Sequence, residues 1–342
     1  MNTHKRQTYL TESNNLSIGY KNPKGKGFHC IQNELNLHLS AGKVYTLIGP
    51  NGAGKSTLIK TLAGFLPCVS GQILMNGQNL NAIPANQLAR LLSVVFTDRP
   101  YTEHLRVYDM VAMGRHPYTG FMGKLRSEDN IKIDKVLNIT GIFSLKDRFF
   151  NDLSDGEKQK VMIAKSLAQE TKIIMLDEPT AFLDFPSRIE VMQLLRKIAR
   201  EESKAILLSS HDITLSFRLS DEIILIAKGF TGVQDIPENI VSKNLMNTYF
   251  ENASFNFDTH RLSFEPITTK SRKVHVEADE FTIALLSNML KRFDFQLIQE
   301  GPHVFSIIQN HLGFQVNSPN GMFIINDLTL LAEFLHTYET NI

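Results

Sequence analysis

A glycine-rich segment, GPNGAGKST, fits the pattern GxxxxGK[ST]. Its glycines allow backbone conformations that other residues avoid, so successive N–H groups can converge on phosphate oxygens at the start of a helix. Lys55 would then neutralise the β- and γ-phosphates of a nucleotide, and the Ser56 hydroxyl would ligate Mg²⁺. A glycine-rich turn without a ligand is the alternative, but the apolar run before the segment and the helical spacing after it favour a nucleotide site. The predicted ATP-binding residues are Gly49, Pro50, Asn51, Gly52, Ala53, Gly54, Lys55, Ser56 and Thr57.

Two adjacent carboxylates follow an apolar run in KIIMLDEP, residues 172–179. Ionised carboxylates are costly to bury unpaired, so a cation or a reacting water is their natural partner. Asp177 would hold Mg²⁺, directly or through water. Glu178, one residue further on, would be the general base that polarises the attacking water. The alternative is an acidic turn that caps a helix after a strand, which the nearby phosphate loop disfavours.

A third segment, LSDGEKQK, opens a predicted helix at residues 153–160. Ser154 and Glu157 match the capping box S-x-x-E, so taken alone the segment is a well-made helix start. Taken with the other two motifs, the set resembles the ATPase subunit of ABC transporters, over about residues 10–265. In that family the Leu-Ser-x-Gly-x signature faces the γ-phosphate held by the other subunit. The resemblance therefore implies that Ser154, Asp155, Gly156 and Glu157 reach the ATP of a second copy.

The resemblance implies further site residues. Tyr20, in SIGY, matches the aromatic residue that stacks on adenine, with an ordinary strand tyrosine as the alternative. Leu183 and Asp184, in AFLD, match the loop that connects the two ATP sites of a dimer. His211, after the strand-like run AILLSS, matches the switch histidine that contacts the γ-phosphate and orients the reacting groups, with a structural histidine as the alternative.

Two positions depart from the family pattern. Thr97 and Asp98 stand where a glutamine usually touches Mg²⁺ and moves with the transmembrane partner, so Thr97 is a weak metal candidate with a shorter side chain. Asp155 replaces a glycine of the signature. The helix dipole can stabilise this carboxylate, but an exposed orientation would repel the arriving phosphate. Glu157 stands where many members have glutamine.

These motifs must be held by a sheet and its helices. Short apolar runs without alternation, typical of strands buried on both faces, occur at Val44–Ile48, Leu92–Phe96, Ile173–Leu176, Ala205–Leu208 and Ile223–Ile226. Helical stretches lie between them, notably at Glu157–Gln169 and Ser187–Glu201. The pattern predicts an α/β fold with a mostly parallel core sheet, whose ligands gather at the carboxyl ends of the strands. The resemblance adds a P-loop NTPase fold with a helical signature subdomain.

The composition of the sequence changes near Pro266, where the segment PITTKSRK is polar and loop-like. We therefore predict an ATPase domain over residues 1–266 and a small α+β accessory domain over residues 267–342. The second domain has four strand-like segments, at residues 273–277, 295–298, 304–308 and 314–316. Asp327 could cap a final helix over residues 328–338. The apolar residues Phe281, Leu285, Met289 and Phe293 recur every four positions, like one face of a helix.

Composition limits the partners. The chain has 342 residues, and 36 basic residues nearly balance 35 acidic ones, so no global field attracts it to nucleic acid or to anionic lipid. Two cysteines are too few for a disulfide framework and suit a reducing compartment; we expect both to be buried. The N-terminal residues lack the apolar run of a signal peptide, and no stretch is as apolar as a membrane helix. We expect a cytoplasmic protein that is peripheral on the inner face of the cell membrane.

The resemblance also suggests a transport role. Phosphate loop and signature lie on separate elements, and both are needed around one γ-phosphate, so a homodimer that closes over two ATP molecules with Mg²⁺ is expected. The segment MGRHPY at residues 113–118 resembles the corresponding segment in the ATPases of importers for ferric siderophores, haem and cobalamin. The alternative is a loop and helix that carry no information about the cargo. Arg115 and Tyr118 are predicted to lie near the cytoplasmic helix of a separate permease, which would in turn engage a substrate-binding protein. We favour an iron complex as cargo.

Alternatives remain open at the level of sequence. A cobalamin importer ATPase would carry the same motifs. A soluble ABC ATPase that remodels ribosomes or DNA, or an iron–sulfur assembly scaffold, belongs to another class; nucleic-acid partners would favour tandem modules or a basic face. Thr97 and Asp155 also fit a regulator that hydrolyses ATP poorly. The accessory domain is either regulatory, dimer-stabilising or a structural addition.

Overall fold

The computed structural model describes residues 9–22, 25, 27–98, 104–120, 123–250, 255–259, 261–267 and 272–340. The helices are α1 Lys55–Leu62, α2 Ala85–Leu91, α3 Val107–Ala112, α4 Ser127–Ile139, α5 Asp155–Ala168, α6 Phe185–Glu201, α7 Ile213–Leu219, α8 Pro237–Ser242, α9 Leu245–Tyr249, α10 Glu280–Arg292 and α11 Leu328–Thr340. The strands are β1 Thr11–Lys21, β2 Phe28–Leu39, β3 Val44–Ile48, β4 Ser70–Met75, β5 Gln78–Asn79, β6 Leu92–Val95, β7 Ile173–Leu176, β8 Ala205–Ser209, β9 Glu222–Leu225, β10 Val233–Asp235, β11 Phe255–Asp258, β12 Ser263–Pro266, β13 Arg272–Glu277, β14 Phe295–Ile298, β15 Phe305–Asn310, β16 Gly313–Ser318 and β17 Gly321–Ile325.

The central sheet has the strand order β10-β9-β3-β8-β7-β6. Strands β9, β3, β8, β7 and β6 run parallel, and only β10 is antiparallel to its neighbour. Every residue of β3, β7, β8 and β9 is buried, because apolar clusters cover both faces of the sheet. The predicted α/β fold with a mostly parallel sheet is confirmed. Parallel strands place their carboxyl ends at one edge, which is where the predicted chemistry lies.

A second sheet, of antiparallel strands in the order β2-β1-β4-β5, was not predicted. Its strands are mixed in character, with buried and exposed residues in irregular succession and shifts in register along β1. Such strands give no clean period of two. Cys30 lies on β2, at the edge of this sheet, and Cys68 lies in the loop before β4; both thiols are only partly buried, so the expectation that both are buried is wrong.

Helices α3, α4 and α5 pack against one another in the larger apolar cluster. The predicted signature forms the start of α5, so this helical layer carries it. Within the described residues no helix combines the length and the apolarity that crossing a membrane requires.

The chain divides into two compact units, residues 1–252 with 256–264, and residues 253–255 with 265–342. The second unit has a sheet in the order β14-β13-β15-β16-β17, with an apolar core of its own shared with α10 and α11. The Asp327 carboxylate accepts a hydrogen bond from the Leu330 N–H at 2.9 Å, as the predicted cap of α11 requires. Strand β17 was missed, although the Asn-Gly pair at residues 320–321 signals a hairpin turn.

The predicted apolar face of α10 is right for Met289 and Phe293, which pack in the core, but wrong for Phe281 and Leu285. Phe281 is 74% exposed and Leu285 is also exposed, whereas Leu286, Met289 and Leu290 are buried in the core. A four-residue repeat advances about 40° around a helix with 3.6 residues per turn, so three steps shift the stripe by about 120°. The repeat therefore winds away from the face that packs on the sheet.

Candidate active site

Strand β3 delivers the phosphate loop to the start of α1. Gly52 and Gly54 have positive φ angles of 78° and 98°, which side chains other than glycine rarely adopt. A Cβ on Gly54 would lie 2.7 Å from Ile31 Cγ2, and one on Gly49 would lie 2.1 Å from the Ile226 carbonyl oxygen. The loop therefore depends on glycine for its conformation and for its close packing.

The Lys55 ammonium lies inside this loop. Its Nζ donates to the carbonyl oxygen of Gly49 at 2.8 Å and to that of Pro50 at 3.2 Å. The residue is buried, and burial lowers the pKa of Lys55, although the nearby Glu178 and Asp177 carboxylates oppose the shift. A cation held here by carbonyl dipoles can attract the phosphates of a nucleotide.

Two side chains from the antiparallel sheet support the loop. Gln32 is buried on β2 and donates from Nε2 to the Ala53 carbonyl oxygen at 3.0 Å. Tyr20, on β1, is 45% exposed, and its hydroxyl lies 2.8 Å from Thr57 Oγ1. The structure thus brings Tyr20 to the loop, where an exposed ring can stack on a base. Gln32 was missed by sequence reasoning, because nothing local distinguishes it from other strand residues.

The Asp177 carboxylate lies at the carboxyl end of β7, directly beside the loop. Its Oδ1 accepts hydrogen bonds from Ser56 Oγ at 3.0 Å and from Ser209 Oγ at 2.7 Å. Thr97 is also close, but its hydroxyl donates to the Asp177 backbone carbonyl at 2.8 Å rather than to the carboxylate. Ser56 and Asp177 offer hard oxygen donors side by side, the donor set that Mg²⁺ prefers.

Glu178 and His211 form a pair at the same edge of the sheet. An ionised carboxylate can only accept, so His211 Nε2 donates to Glu178 Oε1, at 2.7 Å. Their side chains are 29% and 49% exposed, so both can reach a ligand on the loop. A carboxylate oriented by an imidazole beside a phosphate site can accept a proton from water.

The signature residues begin α5. Ser154 and Glu157 form the capping box, with the Ser154 N–H donating to Glu157 Oε2 at 2.8 Å and the Glu157 N–H donating to Ser154 Oγ at 3.3 Å. The Ser154 hydroxyl also donates to Glu157 Oε2, at 2.9 Å, and the two hydrogen bonds that the carboxylate accepts from the Ser154 N–H and hydroxyl lower the pKa of Glu157. Asp155 is exposed. A Cβ on Gly156 would lie 3.0 Å from Ser187 Oγ, so the Ser187 side chain would have to shift by a few tenths of an ångström to admit one.

Asp184 is the N-cap of α6. Its Oδ1 accepts a hydrogen bond from the Ser187 N–H at 3.2 Å, and hydrogen bonds from Ser187 lower the pKa of Asp184. Leu183 is buried, but the aromatic residues on either side are not: Phe182 is 76% exposed and Phe185 is 64% exposed. The loop thus presents a carboxylate between two exposed rings.

Arg115, which was predicted to lie near a permease helix, is buried in this chain. It is 2% exposed, and its guanidinium donates to Asp129 Oδ1 at 2.8 Å and to Glu170 Oε2 at 2.7 Å. Its guanidinium also lies 4.1 Å from the centre of the Tyr118 ring, and the Tyr118 hydroxyl donates to the Gln169 carbonyl oxygen at 3.1 Å. Arg115 is therefore an internal ion-pair residue, and whether this segment lies near a permease stays a prediction.

Comparison with known proteins places this geometry in a family. The family model described as ABC transporter matches residues 32–181. An uncharacterized ABC transporter ATP-binding protein of Methanocaldococcus jannaschii is 37% identical over 272 residues, which cover 78% of this chain and 91% of that protein. The chain belongs to the ABC transporter ATP-binding proteins.

Other ABC proteins extend the comparison. The iron(3+)-hydroxamate import ATP-binding protein of Bacillus subtilis is 32% identical over 236 residues, 69% of this chain and 86% of that protein. A solved dimeric cassette of a bacterial ABC transporter has 23% identity and a TM-score of 0.58, covering 67% of this chain and 99% of the other, and so shows the same fold.

The ABC assignment confirms the predicted family, fold and activity class. As an ABC ATP-binding subunit, the chain binds ATP and is an ATPase. ABC ATPases of importers work as dimers together with permease subunits. The phosphate loop, Asp177, Glu178 and His211 meet at one edge of the ABC core sheet, whereas the signature lies on a separate helix.

Proposed function

We propose that the chain is the ATP-binding subunit of an importer that takes up an iron complex, a ferric siderophore or haem. It acts as a homodimer, peripheral on the inner face of the cell membrane, bound to separate permease subunits and through them to a substrate-binding protein. The assignment of an iron complex as cargo is supported by the similarity to the iron(3+)-hydroxamate import protein and by the MGRHPY segment. The observation that carries the ATPase role is the meeting of Asp177, Glu178 and His211 beside the phosphate loop.

Ser56 and Asp177 are the proposed Mg²⁺ ligands. The ion would neutralise charge on the β- and γ-phosphate oxygens when bound. Ser56 would offer its hydroxyl directly, and Asp177 would act directly or through water. Thr97 is the weaker candidate, because its hydroxyl is hydrogen-bonded to the Asp177 backbone carbonyl oxygen rather than to the carboxylate that would hold the ion.

Glu178 is the proposed general base. It accepts a proton from water while the water oxygen bonds to the γ-phosphorus and the bond from phosphorus to the bridging oxygen of ADP breaks. His211 holds the Glu178 carboxylate through the 2.7 Å hydrogen bond and contacts the γ-phosphate. Lys55 stabilises the charge on the phosphates, and Tyr20 stacks on adenine.

A second copy completes the ATP site. Ser154, Asp155, Gly156 and Glu157 of one copy face the γ-phosphate held by the other. Asp184 communicates between the two sites. The exposed rings of Phe182 and Phe185 support this role of the Asp184 loop, because burying them against a second copy removes apolar surface from water.

Residues 267–342 are proposed to regulate or stabilise the dimer. Their apolar core comes from their own strands and helices, so they do not complete the core that holds the ATP site. Deleting residues 267–342 should leave the ATP affinity of one copy unchanged and weaken dimerisation. An unchanged ATPase rate, dimer affinity and transport rate in the truncated protein would refute this role.

The cargo is tested by uptake in a strain that lacks the native ATPase subunit. The strain is complemented with the wild-type chain or with Glu178→Gln, and uptake of radiolabelled ferric hydroxamate, haem and cobalamin is measured. We expect only the wild type to restore uptake of an iron complex. Restored cobalamin uptake alone, or co-purification of the chain with ribosomes in place of a permease, would overturn the proposal.

The general base is tested by ATPase assays of the purified chain. Glu178→Gln should lower kcat by about a hundredfold or more, within the range that general bases contribute, and retain ATP binding. Glu201→Gln removes an exposed carboxylate near the end of α6 and is the matched control. A Glu178→Gln rate equal to that of the control would contradict the proposed role.

A further inference from the structure

A buried serine joins the two carboxylate residues of the ATP site. Ser209 is the last residue of β8, the strand next to β7, and is fully buried. Its hydroxyl donates to Asp177 Oδ1 at 2.7 Å and accepts a hydrogen bond from the Glu178 N–H at 2.8 Å. The single proton and a lone pair of one hydroxyl are thus committed to two neighbouring residues of the site.

The Glu178 backbone needs such a partner. The Asp177 N–H still donates to the Val95 carbonyl oxygen at 2.8 Å, in continuation of the sheet. At Glu178 the chain turns out of the sheet with a φ angle of 49°, in the left-handed region that costs a non-glycine residue free energy. Such a conformation persists where the surroundings determine it, and here the Ser209 hydroxyl accepts from the N–H at the turn.

We propose that Ser209 is a positioning residue of the ATPase site, which sets the directions of the Asp177 and Glu178 carboxylates together. This inference rests on the proposed roles of those two residues. Because the Asp177 oxygen that Ser209 holds also contacts Ser56, the serine determines how the proposed metal ligands face each other. Because it holds the backbone of Glu178, it also determines where the general base points.

A matched control exists in the same sheet. Ser93, on β6, is buried as well. Its hydroxyl lies 2.9 Å from the hydroxyl of Thr171, which stands two positions before the start of β7. That pair lies at the amino end of the strands, opposite the ATP site. Ser93→Ala removes a buried hydroxyl from the sheet without touching Asp177 or Glu178.

The test compares Ser209→Ala with Ser93→Ala. Ser209→Ala takes the acceptor from the Glu178 N–H and a donor from Asp177 Oδ1, so we expect it to lower kcat by about tenfold. ATP affinity measured without metal should change less than about twofold, since the phosphate loop is intact. Mn²⁺ binding to the ADP complex, followed by electron paramagnetic resonance, should weaken several-fold. Ser93→Ala should lose thermal stability but keep kcat and Mn²⁺ affinity.

A second pair of variants keeps the test valid if Ser209→Ala does not fold. Threonine and valine side chains have nearly the same shape, and only threonine keeps the hydroxyl. Ser209→Thr should therefore have a higher kcat and a higher Mn²⁺ affinity than Ser209→Val. Equal values for this pair, or a Ser209→Ala profile equal to that of Ser93→Ala, would overturn the inference. Full activity of Glu178→Gln would instead refute the proposed function on which the inference rests.

Discussion

Replacing Arg115 with alanine should destabilise the protein rather than uncouple it from a partner. The substitution removes the guanidinium from Asp129, which is 5% exposed, and takes a donor from the Ala168 carbonyl oxygen. Removing one member of a buried ion pair costs about 3–5 kcal/mol. Asp129 keeps the Arg126 N–H at 2.9 Å and Glu170 keeps Lys132 at 2.7 Å, so we expect the lower part of that range.

The pH dependence gives this prediction a sign. In the wild type the pKa of Asp129 is lowered, first by the hydrogen bond from the Arg126 backbone and also by Arg115, against the opposing effect of burial. A lowered carboxyl pKa contributes stability above the ordinary value of 3.8, and that stability is lost as the pH falls through the folded-state pKa. Without Arg115 the pKa of Asp129 should lie above its wild-type value, because the side-chain hydrogen bond and the charge that help to lower it are gone. The loss of stability should therefore be large at pH 7 and shrink as the pH falls through the wild-type pKa, below 3.8.

Urea unfolding at several pH values measures this effect. Arg200→Ala is the control, because Arg200 is exposed and its pairing with Asp221 spans 3.7 Å, which is worth about 0–1 kcal/mol. Arg115→Met combined with Asp129→Leu should recover part of the stability, since no unpaired charge then remains. An Arg115→Ala variant with the wild-type unfolding midpoint and a specific loss of permease-stimulated ATPase activity would refute the reasoning.

Two further predictions concern the nucleotide site. Gly54→Ala should weaken ATP binding by about tenfold or more in fluorescence titrations, because the added Cβ would lie 2.7 Å from Ile31 Cγ2 at a backbone φ of 98°. An unchanged ATP affinity would contradict the need for glycine at this position. Asp155→Gly should strengthen ATP-dependent dimerisation a few-fold at low salt, because it removes an exposed negative charge from the signature, and the gain should fall at high salt. Weaker dimerisation of this variant in light scattering would oppose that reasoning.

The sequence was most informative where local pattern and buried geometry coincide. The phosphate loop could be predicted because glycine spacing reports directly on backbone conformation, and the structure gives Gly52 and Gly54 positive φ angles. The core strands could be predicted because parallel strands covered on both faces read as short apolar runs. Their shared edge then placed Asp177 and His211 near the loop, although the family roles of these residues came from resemblance.

Other features depend on contacts that sequence pattern does not reveal. Arg115 lies in a polar, loop-like segment, and its partners Asp129 and Glu170 are 14 and 55 positions away along the chain. Its burial could therefore not be predicted from the local sequence. The link from Ser209 to Asp177 spans 32 positions. Ser209 stands two positions before His211 and could have been noticed there, but only the register of two neighbouring strands shows that it touches both carboxylate residues.

The central claim is that one copy holds the triphosphate and a second copy completes the site. Light scattering on Glu178→Gln measures this directly, since the variant should bind ATP without consuming it. We expect a mass of 38.7 kDa without nucleotide and twice that value with ATP and Mg²⁺, and no doubling when Ser154→Arg is added. A chain that binds and hydrolyses ATP at full rate while its mass stays at 38.7 kDa would contradict the account.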